Sequence, residues 1–228
     1  MSMALISLLQ LADPTLPIGS YAHSAGLETL VQQGIVHNSP TANSFVTELL
    51  TRSFQYTDAA FMSLAFTAAM GQDLQKLIAL DEECSAVKLP METRMASQKL
   101  GIRLLKIFEP LIKNKITAEY RAAIKLQKIT GHYCIAFGLC AAALGIDKPA
   151  ALTGFFYNAA VGLITNCVKL IPLGQQDGQQ ILFALQPLLY ALVKNTLEPN
   201  LSMIGVCCAG FDISCMQHEQ LYSRLYMS

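Results

Sequence analysis

Four patterns in this chain hold residue types that could do chemistry. The first is His23–Ser24, a base beside a hydroxyl, within the stretch LPIGSYAHSAGLE. A serine nucleophile of the elbow type needs Gly-x-Ser-x-Gly on a sharp strand-to-helix turn. Here Ala22 stands in the first glycine position and no strand-like sequence precedes it. Neighbours in a helix point apart, so His23 does not supply the hydrogen bond that activates Ser24. The second pattern, His218-Glu219-Gln220-Leu221-Tyr222, places tyrosine where a zinc-protease motif needs its second histidine ligand. The third, GQQDGQQ at 174–180, has glycines but lacks the Lys–Ser/Thr pair that holds phosphate and magnesium. The fourth is the cysteine set 84, 134, 140, 167, 207, 208 and 215, an odd number with no Cys-x-x-Cys. These read as small buried hydrophobes, the vicinal pair Cys207–Cys208 included. His132, alone on an apolar stretch, reads as a satisfied core histidine. By residue chemistry the chain is not an enzyme, and a serine hydrolase using Ser24 is the weakest alternative.

The elements that carry these residues have helical period throughout. Apolar positions recur at three- and four-residue spacing after Ser39–Pro40, and Thr57–Asp58 is expected to open a further helix. Met91–Phe108 reads as amphipathic, with Met95, Ile102 and Leu105 inward, a basic stripe outward, and Pro110 as its stop. Residues 132–145 are apolar all round, which marks a central buried helix. IPLGQQDG reads as a loop before a helix over Gln179–Lys194, bent at Pro187, and Asp212 as the cap of a last helix. Pro14, Pro17 and Gly19 shape a rigid entry to a helix starting near Ser20. No segment alternates as a strand does. The expected fold is all-α: a single compact domain spanning 1–228, of about eight to ten helices around 132–145, with a C-terminal helix and tail at 212–228.

Hydrophobic residues make up 53% of the 228 and charged ones 14%, so the chain buries more than usual or offers apolar surface to partners. The longest apolar run, Tyr133–Ile146, is short of the roughly 20 residues that span a bilayer. The first lysine or arginine is Arg52, so no basic region precedes an apolar leader. A cytoplasmic protein without a membrane role is expected. Net charge is zero, yet 94–128 holds nine basic and two acidic side chains. That stripe suits solvent or an acidic partner. Without tryptophan or aromatic interleaving it does not suggest nucleic acid. The tail, with tyrosines around Arg224, has the anchors usual at interfaces.

LPIGSYAHSAGLE (16–28), VKLIPLGQQDGQQIL (168–182) and HEQLYSRLYMS (218–228) together resemble the UreF family of urease accessory proteins. ETRMASQKLGIRLL (92–105) and HYCIAFGLCAAALGI (132–146) fit the same pattern. The resemblance implies an all-α, non-catalytic scaffold in nickel insertion into apo-urease. It implies a homodimer that bridges UreD (UreH) and the GTPase UreG and couples GTP hydrolysis to nickel delivery. No cofactor is expected to bind tightly: nickel transits the complex, and GTP with magnesium sits on UreG. By the same resemblance Lys169, Gln175, His218, Glu219, Tyr222 and Arg224 are partner-binding residues. Glu28 and His23 serve either a metal path or the local fold, and Tyr157 lies on the dimer face; no metal ligand is assigned. A basic docking module for another acidic partner is the alternative.

Overall fold

The computed structural model describes residues 3–20, 23–206 and 208–227; Ala22 and Cys207, both named above, lie outside them. All regular structure among the described residues is helical, as the periodicity requires. Helix α1 (Met3–Leu11) precedes the proline-rich entry, so the first helix begins well before Ser20. Gly26, at φ 78°, then turns the chain into the short α2 (Leu27–Gln32).

Next comes α3 (Ser39–Glu48), started by Asn38 rather than Ser39. The Asn38 Oδ1 accepts from the Thr41 N–H while Thr41 Oγ1 accepts from the Asn38 N–H. A wide-turned π segment (Leu49–Ala59) carries the helix on into α4 (Ala60–Met70) without a break. Thr57 and Asp58 therefore open nothing. The Thr57 hydroxyl bonds back to the Ser53 carbonyl, and the Asp58 carboxylate is turned onto Lys88.

Helices α5 (Leu74–Val87), α6 (Met91–Ile112) and α7 (Lys115–Lys125) follow. Pro110 sits within the last turn of α6, where it removes one hydrogen bond but does not end the helix. Lys113, at φ 52°, ends it. Leu105 is buried as expected, but Met95 and Ile102 face solvent, 43% and 45% exposed. The inward face of α6 is instead made of Ala96, Ser97, Gly101, Leu104 and Phe108. Small residues win that face because α6 lies close on the next segment: a methyl at Gly101 would meet the Gly131 carbonyl at 2.1 Å.

The central helix is α8 (Tyr133–Ala143), buried continuously from Cys134 to Ala141. It crosses α4 backbone to backbone at Gly138, where an added Cβ would stand 2.5 Å from the Met62 carbonyl oxygen. Asp81 on α5 fixes the entry to α8. Its buried carboxylate accepts from the backbone N–H groups of Thr130, Gly131 and His132 and from the Tyr120 hydroxyl at 2.6–3.1 Å. Negative charge is favourable there because unpaired N–H groups point out of a helix N-terminus.

The long α9 (Lys148–Leu170) starts at Asp147, whose side chain accepts from the Ala150 N–H. By length and composition α9 could cross a membrane, unlike the shorter apolar helix α8. In this fold its buried positions, Ala151 to Cys167, pack against α1, α3, α10 and α11 as a core helix does. GQQDGQQ is not a loop. It forms the first turns of α10 (Gln175–Ala184), with the Asp177 carboxylate accepting from the Gly174 N–H. The chain then breaks into α11 (Gln186–Thr196), with Pro187 in its first turn, rather than bending there. A 3₁₀ turn (Leu201–Met203) leads to α12 (Ala209–His218), where Asp212 lies inside the first turn and not at the cap.

Candidate functional site

The last residues are held by a cluster of charges drawn from three distant parts of the chain. Glu28 lies in the first turn of α2, Glu92 in the first turn of α6, and His218 ends α12. Acidic residues suit helix starts and a histidine suits a helix end, so each type agrees with its local element. His218 is fully buried. Its Nδ1 lies 2.7 Å from Glu92 Oε2 and its Nε2 lies 3.1 Å from Glu28 Oε2. Both contacts are hydrogen bonds only when the ring carries two protons.

The tail then folds back over this centre. The Arg224 guanidinium donates to Glu92 Oε1 at 2.7 Å. Leu225 and Tyr226 donate their backbone N–H groups to the two oxygens of Glu28, at 2.7 and 3.1 Å. With His218 protonated, the two carboxylates balance the two cations. Burial alone would raise the Glu28 pKa, but the hydrogen bonds from Leu225, His218 and Tyr226 outweigh it and hold it below the ordinary glutamate value. Two further contacts join α2 to this region: Thr29 Oγ1 donates to the Ser214 carbonyl, and Gln32 Nε2 to the Ser223 carbonyl. Gly26 allows the approach, since a side chain there would meet the Ser214 hydroxyl at 2.5 Å.

This arrangement is a clasp. The imidazole spends both nitrogens on separate carboxylates, so the three side chains do not present lone pairs to a common point. Among the described residues no group of three His, Cys, Asp or Glu is placed to hold a metal ion.

The structure thus joins Glu28, His218 and Arg224, and adds Glu92, which residue types alone did not single out. Its signal was position: Glu92 opens one of the five segments quoted above. Glu28 holds the tail through the Leu225 and Tyr226 N–H groups. Tyr222 projects fully into solvent from the clasped tail, and Glu219 is half-buried at its start. Lys169 and Gln175 are exposed where α9 passes into α10, outside the clasp. Tyr157 is 44% exposed on α9, next to Asn158, whose side chain donates to the Ala12 carbonyl.

His23 is half-buried on a cleft of about 310 Å³ that is also lined by Phe54, Asp58, Lys88, Tyr133 and Asn166. Its carbonyl accepts from Asn166, and its pKa is lowered by burial and by the charges of Lys99 and Arg103. Ser24 is fully buried, and its hydroxyl has no hydrogen-bond partner among the described residues. His132 is satisfied on both sides, by Ser85 at Nε2 and Ser97 at Nδ1.

An all-α chain in which a buried cluster of Glu28, Glu92 and His218 holds the tail defines, among the described residues, a helical protein with one internal polar cluster. The UreF family model matches residues 36–186. The urease accessory protein UreF of Actinobacillus pleuropneumoniae is 48% identical over 222 residues, 97% of this chain and 98% of that protein. The UreF protein of Haemophilus influenzae strain Rd is 46% identical over 97% of this chain and 94% of its own length. That of Bacillus sp. TB-90 is 33% identical over 98% and 99%. The chain belongs to the UreF family of urease accessory proteins.

Proposed function

We propose that this chain is a non-catalytic scaffold in urease maturation. It joins UreD (UreH) and the GTPase UreG on apo-urease, as a cytoplasmic homodimer, and couples GTP hydrolysis on UreG to nickel delivery. Nickel is cargo in this scheme, and GTP with magnesium belongs to the partner. The observation that carries the reading is likeness along nearly the whole length to proteins named urease accessory protein UreF. The geometry supplies a mechanism for the scaffold. The clasp holds a tail rich in tyrosine in one conformation, so Tyr222 and the rim of Arg224 meet a partner without first being ordered. Removing that ordering cost raises affinity for the same contacts. Lys169 and Gln175, exposed at the α9–α10 junction, offer a second polar contact region, and Tyr157 a contact for the second copy.

The test is co-elution. The purified chain mixed with UreD and UreG under reducing conditions should run as a ternary complex in gel filtration. Separate elution of all three at micromolar concentration would refute the scaffold. The exposed basic side chains of Lys99, Arg103 and Lys106 on α6 favour a second reading, an acidic partner docked on that helix. Its mark is a complex that dissociates as salt rises.

A further inference from the structure

Two sulfur atoms meet behind the wall of the cleft. Cys84 on α5 and Cys134 on α8 are both fully buried, with their Sγ atoms 3.7 Å apart. Their surroundings are not hydrocarbon alone. Lys88, one turn after Cys84, is buried and pairs with Asp58 at 2.6 Å, and His132 lies two residues before Cys134. Lys88 and Tyr133, the latter next to Cys134 in the chain, both line the cleft. The remaining buried cysteines, Cys140 and Cys167, are not in thiol contact with another described cysteine.

We propose that Cys84 and Cys134 are a modification site: a dithiol that a peroxide converts reversibly to an intramolecular disulfide. The Cys84 thiolate attacks one peroxide oxygen and the O–O bond breaks. This leaves Cys84 as a sulfenic acid, while the departing hydroxide takes up the thiol proton and becomes water. Cys134 sulfur then attacks the sulfenic sulfur, and its proton leaves with the hydroxyl as a second water. The thiols lose two electrons and the peroxide gains them. The sulfurs must close from 3.7 Å to about 2.05 Å, a shift within reach of side-chain rotation and small helix movement.

Cys84 reacts first for an electrostatic reason. The Cys134 thiol hydrogen bond, with help from His132 and Lys88, lowers the Cys84 pKa against the effect of burial. Burial and the neighbouring Cys84 raise that of Cys134. Burial pushes Cys140 and Cys167 up to about 12, which makes them internal controls.

The experiment exposes the reduced, folded full-length chain to hydrogen peroxide, alkylates the remaining thiols after denaturation, and maps the peptides by mass spectrometry. A Cys84–Cys134 cross-link, lighter by two hydrogens and reversed by dithiothreitol, should form about tenfold faster than Cys140 is lost. In Cys134→Ser, Cys84 should stop at sulfenic acid and be trapped by dimedone. The same treatment of the guanidinium-unfolded wild-type chain should give mixed pairings, so the test does not depend on the variant folding. Cys84 and Cys134 that stay alkylatable in the folded chain, or a native pairing pattern no different from the unfolded one, would overturn the proposal.

Discussion

Replacing Glu28 with alanine tests the clasp most directly. Glu28 is 5% exposed and accepts from the Leu225 and Tyr226 N–H groups and from His218. Hydrogen bonds to a charged group are worth about 1.5–3 kcal/mol each, and removing one partner of a buried ion pair costs about 3–5 kcal/mol. The full sum does not apply, because the tail can lift off and let water satisfy its freed N–H groups. The loss at the tail is therefore about 3 kcal/mol, and the core around α8 loses far less. At 1.4 kcal/mol per tenfold, the tail should open roughly 100 times more often. Native-state hydrogen exchange measures this at single amides. The Leu225 and Tyr226 amides should lose protection by that factor in Glu28→Ala, while amides within α8 change little. Unchanged protection at Leu225 and Tyr226 would refute the clasp. Equal loss in α8 would show that Glu28 supports the core and not the tail.

Three further outcomes follow from the same geometry. Acid should open the clasp: because the folded Glu28 pKa lies below its ordinary 4.5, its stabilisation is full above that value and disappears as pH falls through the folded one. Tail amide protection measured from neutrality down to strong acid should fall only in that lower window; a loss confined to neutral pH would contradict it. Asp81→Ala strips the acceptor from three backbone N–H groups and the Tyr120 hydroxyl, so it should cost about 3–5 kcal/mol and lower Tm by roughly 10 °C in calorimetry. Gly138→Ala drives a methyl onto the Met62 carbonyl and forces α4 and α8 apart. Urea titration should show a loss of about 2 kcal/mol with an unchanged m-value.

The fold was legible wherever periodicity and burial agree. Residues 132–145 are apolar on every side, and a helix of that kind has no place in water but the centre of a packed domain. His132 was equally readable, since a lone histidine on such a helix must have its nitrogens satisfied nearby. Periodicity failed on α6. Its apolar residues cover too wide an arc to name one face, and contact with the Gly131 backbone selected Ala96, Ser97 and Gly101 over Met95 and Ile102. Capping was misread at 57–58 because a threonine or aspartate can bond within a helix or across to a lysine as readily as it can start one.

The clasp lay outside any local rule. Each residue type was consistent with its own helix end, and the terminal segment stood out for its tyrosines and arginine. Yet His218 reaches carboxylates 190 and 126 residues away in sequence. By itself the sequence determined an all-helical chain and a buried central helix, because helical period and side-chain hydrophobicity act over a few turns. Only the tertiary structure decided that Glu28, Glu92, His218 and Arg224 share one hydrogen-bonded cluster. Hydrogen bonds and ion pairs act over about 3 Å, and the packing of α2, α6 and α12 sets those distances.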